Sequence, residues 1–361
     1  MREALQLAAR AVGLTEPNPR VGCVLTDADG RVIGSGHTQP AGEAHAEIMA
    51  LRDAQARGHA TVGATAYVTL EPCAHHGRTG PCCDALAAAG VGRVVAALAD
   101  PNPLVGGQGF ARLRAAGARV DTGLLADEAR ELNLGFFSRM VRKTPWVRLK
   151  VAASLDGKTA LDNGTSQWIT SGPARADGHA WRARAGAILT GIGTVREDNP
   201  RLDVRLAPCP RQPPLVIIDS RLDTPPDAQL FIEGRAVWIY GAVPPDDRAR
   251  ALQQRGATVR LMPGAGHKVD LPAVLRDLAA QGVNELHVEA GHKLNGSLLR
   301  EGLVDELLVY LAPTLIGQGR DMAAFGPLAQ LDQAIGLEFM SSAMVGPDLR
   351  LLARLPGRSR F

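Results

Sequence analysis

The stretch from Ala44-His45-Ala46-Glu47-Ile48-Met49-Ala50-Leu51 to Glu71-Pro72-Cys73-Ala74-His75-His76-Gly77-Arg78-Thr79-Gly80-Pro81-Cys82 decides how the first half of the chain folds. Ala44 to Leu51 begins a helix, Val62 to Leu70 alternates as a strand, and Pro72 lets Cys73 leave the sheet. Pro81 to Gly90 is a second helix, with proline near its start and glycine at its stop. The same stretch holds an imidazole, two thiols and a carboxylate that need not bind metal. Zinc takes nitrogen and sulfur ligands tetrahedrally, and a catalytic site keeps its fourth position for water. His45 and Glu47, two residues apart, do not share a face inside a helix. Both must therefore lie in its first turn to reach one site. A helix N-terminus favours thiolates, so Cys73 from the loop and Cys82 from the helix start suit the metal. Cys83 points about 100° away from Cys82 on a helix, so only one of the two ligates.

Before this stretch, Leu5, Ala8, Ala9 and Val12 fall at helical spacing and Gly13 stops the helix. Thr15-Glu16-Pro17-Asn18-Pro19 is a proline-locked turn, in which Asn18 reads on chemistry alone as a turn former. Val21 to Thr26 reads as a buried strand, Asp27 to Gly30 as a hairpin turn, and Arg31 to Gly34 as the returning strand. Cys23 is then an inert core thiol. Val94 to Leu98 is a further strand. Strands alternating with helices mark an α/β domain.

At 361 residues the chain suits two domains. Hydrophobic content of 45%, charged content of 21% and a formal net charge of +3 describe a soluble globular protein without the basic stripe of a nucleic-acid binder. Five cysteines in so long a chain argue against a secreted disulfide scaffold. The N-terminus lacks a signal-peptide core, and no apolar run approaches the ~20 residues of a membrane span. A cytoplasmic setting is expected.

Zinc held by His45, Cys73 and Cys82 leaves room for water, whose pKa then falls to roughly 7. Glu47 is the base that moves its protons, which points to hydrolytic deamination of an amino-heterocycle. The competing structural reading closes the zinc with His75 and leaves Glu47 without a role.

Arg139-Met140-Val141-Arg142-Lys143-Thr144-Pro145 ends a helical stretch and sets a boundary, giving domains 1–144 and 145–361. Trp146 to Ala152 begins a new strand in which Arg148 and Lys150 alternate with apolar residues. No G-x-G-x-x-G follows a strand, so a standard Rossmann dinucleotide site is not indicated. Two strand–glycine–helix junctions suit anions. One is Ala187 to Gly193, with Thr194 as N-cap. The other is Glu285 to Gly296, before a helix from Ser297. Such glycine turns are mostly plain connections. Asp219-Ser220-Arg221 follows the strand Leu215 to Ile218. An acid there suits an unphosphorylated ribose, whereas Ser220 and Arg221 suit a 2′-phosphate. Val304 to Leu311 is an apolar strand whose partner is unreadable.

The motif Thr15 to Cys23, the His45-Ala46-Glu47 triplet and Pro72 to Cys82 resemble the bifunctional riboflavin-biosynthesis deaminase/reductases. Nucleoside and tRNA deaminases hold two residues between their cysteines, whereas eight stand here, with the His-x-Gly-x-Thr-x-Pro filling of the riboflavin branch. Asp100-Pro101-Asn102-Pro103 fits the same family, as do Ser154 to Gly157, Ser166 to Ser171, Gly193 to Val195, Asp198 to Pro200, Arg205 and Glu289 to Gly291. The resemblance implies a cytidine-deaminase-like domain, a mixed sheet with helices on both faces, followed by a dihydrofolate-reductase-like domain using NADPH. It implies that Asn18, His75 and Asn102 face a phosphorylated pyrimidine. Ala152, Trp168, Thr194, Asp198, Ser220, Gly291, His292, Lys293, Leu294, Asn295, Gly296 and Ser297 would line the cofactor. Ser166, Arg182, Leu202, Arg205 and Glu289 would line the substrate, the arginines as phosphate clamps. Lys150 and Glu289 are expected to assist hydride transfer. His292-Lys293 departs from the smaller or prolyl residue expected after Gly291. The family further implies a homo-oligomer; the missing basic stripe and apolar span lead us to expect neither nucleic acid nor membrane as partner. The alternatives are a single-activity nucleoside or tRNA base deaminase with a non-catalytic nucleotide-binding C-terminal domain, and a zinc-stabilised binding module without turnover.

Overall fold

The computed structural model describes residues 1–75, 80–103, 105–244 and 246–361. The chain divides into two compact units, Met1–Lys143 with Phe361, and Thr144–Arg360. The first contains α1 (Arg2–Ala9), β1 (Gly22–Thr26), β2 (Val32–His37), α2 (Ala46–Ala56), β3 (Thr65–Val68), α3 (Cys82–Ala88), β4 (Arg93–Ala96), α4 (Gln108–Ala115), β5 (Arg119–Thr122), α5 (Ala126–Leu132) and α6 (Leu134–Arg142). Its sheet runs β2-β1-β3-β4-β5. β1 is antiparallel to β2 and β3, and β3, β4 and β5 are parallel.

Small residues decide how the helices lie on this sheet. Cys23 pairs with Gly36 and Leu25 with Gly34, so these four share one face. A Cβ at Gly36 would meet the Met49 Cβ at 2.5 Å, and one at Gly34 the Ala50 carbonyl at 2.3 Å. α2 therefore lies on that face, with Ala46, Ala50 and Ala54 buried. Gly22 faces the other way, where a Cβ would stand 1.9 Å from the Ala4 carbonyl of α1. Helices thus cover both faces. This close approach also corrects the expected face of α1: Ala4, Leu7 and Ala8 are buried, not Leu5 and Ala9, and the helix ends at Ala9, before Gly13.

The second unit contains β6 (Trp146–Ser154), β7 (Lys158–Ala160), α7 (Gly172–Ala183), β8 (Ala187–Gly191), α8 (Ile192–Asp198), β9 (Leu215–Ile218), β10 (Val237–Gly241), α9 (Asp247–Gln254), β11 (Ala257–Leu261), α10 (Leu271–Ala280), β12 (Glu285–Val288), α11 (His292–Arg300), β13 (Glu306–Ala312), β14 (Arg320–Asp321), β15 (Glu338–Val345) and β16 (Asp348–Arg354). One sheet runs β11-β10-β9-β8-β12-β6-β13-β16-β15, and β14 pairs with β7. From β11 to β13 it is parallel. β16 and β15 then add an antiparallel edge. The fully buried runs of β9 and β12 are what a parallel sheet covered on both faces selects. The strand near Val304 to Leu311 finds its partners in β6 and β16.

Both expected anion loops are shorter than the sequence suggests. α11 begins at His292 with Gly291 as N-cap, not at Ser297. Gly296 is a packing glycine inside it, since a Cβ there would lie 2.0 Å from the Ala324 carbonyl. Likewise Gly191 caps α8 and Thr194 lies within the helix.

Candidate active sites

In the first unit, His45 is the N-cap of α2 and Glu47 sits in its first turn, 3% exposed. β3 ends ahead of Glu71-Pro72, and the loop brings Cys73 back to α3, where Cys82 is the first helical residue. His45 Nδ1 lies 3.6 Å from Cys73 Sγ and 3.4 Å from Cys82 Sγ. A tetrahedral zinc with ordinary Zn–N and Zn–S bonds separates such atoms by about 3.6 Å, so the three residues fit the metal. Their ligand atoms all lie within 4.8 Å of one another. Cys83 is outside this group; its thiol donates to Asp84 Oδ1 at 3.4 Å, and burial first, then that bond, pushes it up to about 11. His75 is exposed and also outside the group. His76, Gly77, Arg78 and Thr79 lie outside the described residues.

The helix start does not favour both thiolates equally. Cys82 donates to Cys73 from its thiol and, at 3.3 Å, from its backbone N–H. That donation, helped by His45, holds Cys73 down at about 4 despite its burial. The Cys82 thiol is pushed up by the same bond and by burial. Burial foremost, then the Cys73 charge, raises Glu47 to about 7, the range of a group that both takes and returns a proton.

A residue that sequence reasoning missed frames this site. The Glu71 carboxylate accepts from the backbone N–H groups of Asp100 at 3.0 Å, Gly107 at 2.9 Å, Gly109 at 2.9 Å and Phe110 at 3.2 Å. It thereby ties the Asp100 loop and the start of α4 to the Pro72-Cys73 turn. Asn102 is positioned on that loop by its N–H bond to Asp100 Oδ1 at 2.8 Å. Asn18 closes the turn expected for it, donating its N–H to the Thr15 carbonyl at 2.8 Å. The available signal for Glu71 was an acid placed at a strand end directly before Pro-Cys.

In the second unit a cavity of about 1690 Å³ opens over the C-terminal ends of the parallel strands, where open α/β sheets bind ligands. Lys150 and Ala152 reach it from β6, Thr194 and Asp198 from α8, and Ser220 from the end of β9. Gly291 to Asn295 and Ser297 line it from α11 and its cap, but Gly296 does not. Ser166 and Trp168 line it from the preceding loop, and the Ser166 hydroxyl donates to Asp198 Oδ1 at 3.3 Å. Arg182, Leu202, Arg205 and Glu289 complete the expected set. Arg221 is exposed and does not line the cavity.

The parallel register explains the centre of this cavity. Val288 pairs with Leu149, so Glu289 emerges beside Lys150, their charged atoms 3.6 Å apart. Arg182 binds both Glu289 oxygens, Nη2 to Oε2 at 2.9 Å, and gives Nη1 to the Asp203 carbonyl at 2.9 Å. The expectation that Arg182 is an open phosphate clamp is therefore corrected: its fork is already filled. Arg205, 48% exposed although paired with Asp203, remains accessible. Burial works to raise Glu289, yet Arg182 and Lys150 outweigh it and hold the carboxyl well below its ordinary range. His179 donates nothing to this charge: burial and the neighbouring Arg182 and Arg205 lower it to about 4, and its Nδ1 accepts from the Arg205 N–H at 3.2 Å.

Comparison with known proteins falls on both units. Residues 1–98 match the cytidine and deoxycytidylate deaminase zinc-binding region, and residues 145–351 match the RibD C-terminal domain. The chain is 44% identical over 364 residues to the riboflavin biosynthesis protein RibD of Escherichia coli, covering 97% of each. An Acinetobacter baumannii RibD structure superposes with a TM-score of 0.89 at 40% identity, covering 98% of this chain and 97% of the other. A diaminohydroxyphosphoribosylaminopyrimidine deaminase/5-amino-6-(5-phosphoribosylamino)uracil reductase from Thermotoga maritima does so with a TM-score of 0.86 at 31% identity, again covering 98% and 97%.

Proposed function

The chain belongs to the RibD family of riboflavin-biosynthesis enzymes, and on that premise we propose which of its residues perform the two reactions. It is a bifunctional deaminase/reductase, with a cytidine-deaminase-like domain and a dihydrofolate-reductase-like domain. The first step hydrolytically deaminates a 2,5-diamino-6-ribosylamino-pyrimidinone 5′-phosphate with zinc. The second reduces the ribosyl side chain to ribityl with NADPH. We assign the first to residues 1–144 and the second to 145–361.

His45, Cys73 and Cys82 would hold the zinc, which when bound would supply a Lewis acid that makes water acidic near neutral pH. Glu47 takes a water proton on its carboxylate and gives it to the ring nitrogen; it then takes the remaining proton of the added hydroxyl, as the carbonyl forms and the C–N bond breaks, and passes it to the amino group, which leaves as ammonia. Its burial among the ligands keeps both protonation states accessible. Glu71 holds the Asp100 loop so that Asn102, with Asn18 and His75, faces the pyrimidine phosphate.

For the reductase, bound NADPH would supply the hydride needed at the sugar carbon bonded to nitrogen. Glu289, held ionised, is a poor acid. Lys150 Nζ, which Glu289 positions, therefore delivers the proton that the opening ring oxygen requires. Arg205 and Ser166 bind the substrate, Leu202 walls it, and Arg182 keeps Glu289 in place. Ala152, Trp168, Thr194, Asp198, Ser220 and the α11 start line the cofactor.

The observation that carries this reading is the convergence of His45, Cys73 and Cys82 around buried Glu47. One coupled assay tests it, following ammonia release and NADPH oxidation together. Glu47→Gln should keep its zinc, lose ammonia release by about 10³-fold or more, and still oxidise NADPH with the deaminated substrate. Full ammonia release by the zinc-loaded variant refutes the assignment. Wild-type ammonia release without NADPH oxidation leaves only the deaminase.

A homo-oligomer is part of the same reading. It is supported by β15, an edge strand exposing Phe339 at 74% and Met344 at 65%, a feature that invites a partner. A cytoplasmic setting is supported by five free cysteines. Among the described residues, no helix is long and apolar enough to cross a membrane.

A further inference from the structure

The sheet order places the two ends of the reductase cavity. β9, which leads into Ser220, stands three places from β6 in the order β9-β8-β12-β6. At an interstrand spacing of about 4.8 Å, that is roughly 14 Å from Lys150. Lys150 and Glu289 occupy the reacting end, and the glycine caps of α8 and α11 lie between. The Ser220 wall is the distal end.

Three features of this wall bear on an anion. Asp219 is turned away: it is 1% exposed, does not line the cavity, and accepts on Oδ2 from both the N–H and the hydroxyl of Thr224 at 2.7 Å. The carboxylate suited to a ribose 2′-hydroxyl is thus absent from the surface. Asp270 does line the wall, but its Oδ1 accepts from the Ala273 N–H at 2.9 Å as the cap of α10. The wall's cation is Lys268, exposed and without an ion-pair partner among the described residues. Its loop is tied at the base by the Gly264 N–H bond to the Lys268 carbonyl at 2.7 Å and by a bridge between Pro263 and Val269. The next N–H, of Val269, donates to Ser220 Oγ at 3.3 Å. The serine accepts from the loop, so its own proton is left for a cavity acceptor.

We propose that Lys268 and the Ser220 hydroxyl read the 2′-phosphate of the dinucleotide, and that Lys268 sets the preference for NADPH over NADH. This rests on reading the cleft as a nicotinamide dinucleotide site. A hydroxyl donor and an ammonium with no ion-pair partner among the described residues suit a phosphomonoester, and Asp270 and Glu301 are the carboxylates that line the cavity near them. An NADH site would present the strand-end acid to the ribose, whereas Asp219 is held by Thr224 outside the cavity. Arg221, the neighbour that sequence alone favours, lies outside the cavity.

Calorimetric titration of the full chain with NADP⁺ and with NAD⁺ tests the assignment without turnover. Lys268→Ala should weaken NADP⁺ about tenfold and NAD⁺ less than twofold, Lys268→Arg should keep the preference, and Lys268→Glu should weaken NADP⁺ further. Added salt should narrow the gap between the two dinucleotides in the wild type but not in Lys268→Ala. Ammonia release by the same samples should be unchanged. An unaltered preference in Lys268→Ala, or an equal loss for both dinucleotides, overturns the role of Lys268 while leaving the reductase reading intact. A wild-type chain that binds neither dinucleotide overturns both.

Discussion

Glu71 shows how much one buried side chain can organise. It is 5% exposed and accepts from four backbone N–H groups, at 2.9 to 3.2 Å. Glu71→Gln turns an NH₂ group against two of these donors, at a cost of about 1–3 kcal/mol. We expect ammonia release to fall at least tenfold, KM for the pyrimidine to rise, and NADPH oxidation with deaminated substrate to stay unchanged. Retained KM and kcat in both assays would deny Glu71 its positioning role. Glu289 gives a prediction in pH. Its folded pKa is depressed, so its pairing stabilises the fold above the unfolded value of about 4.3 and ceases to do so as pH falls through the folded value. The Tm gap between wild type and Glu289→Gln should be steady from neutrality to about pH 5.5 and shrink below about pH 4. A gap that widens on acidification contradicts the pairing. At this scale the metal set was legible, because His-x-Glu and Pro-Cys carry their own chemistry. Glu71, His179 and the filled fork of Arg182 were not, because each depends on partners between 21 and 107 residues away or on backbone N–H groups that all residues share.

Among the elements, α2 is placed by absence of side chain. It approaches β2 where Gly34 and Gly36 leave room and turns Ala46, Ala50 and Ala54 inward, so its N-terminus carries His45 and Glu47 at a fixed depth. Gly36→Ala should destabilise the first unit by about 1–3 kcal/mol through overpacking and reduce bound zinc, as thermal unfolding and metal analysis would show. Unchanged Tm and stoichiometry would mean that α2 tolerates a shift. Gly296→Ala makes the corresponding test in α11, where the Ala324 carbonyl blocks a Cβ. A several-fold weaker NADP⁺ affinity with intact deaminase activity is expected. In the first unit α1, β1, β2, α2, β3, α3 and β4 were readable from the sequence, and in the second β6, β8, β9, β12 and β13, whereas β10, β11, β15 and β16 were not read. The starts of α8 and α11 were not, because a glycine that caps, a glycine that packs and a glycine that turns look alike until the neighbouring backbone is placed.

The whole molecule joins two compact units on one chain, each built on its own main sheet, and we assign one reaction to each. Removing zinc with a chelator should abolish ammonia release and leave NADPH oxidation with deaminated substrate unaltered; parallel loss of both would mean that the second unit depends on the metal. Chain length pointed to two units, and the 143/144 division falls inside the charged segment from Arg139 to Pro145. What composition does not reveal is pairing across distance, such as β6 with β13, or the buried ion network in which Arg148 meets Glu285 and Glu306 at 2.9 and 2.6 Å. The loop from Pro263 to Val269 closes on its own backbone bonds, and it is anchored at its base by Val269, whose side chain is in the core and whose N–H donates to the Ser220 hydroxyl. Such a segment is a cassette. Its tip can be rewritten by selection or by an engineer without disturbing the strands that hold the reacting groups, so redox currency and catalysis can evolve on separate schedules.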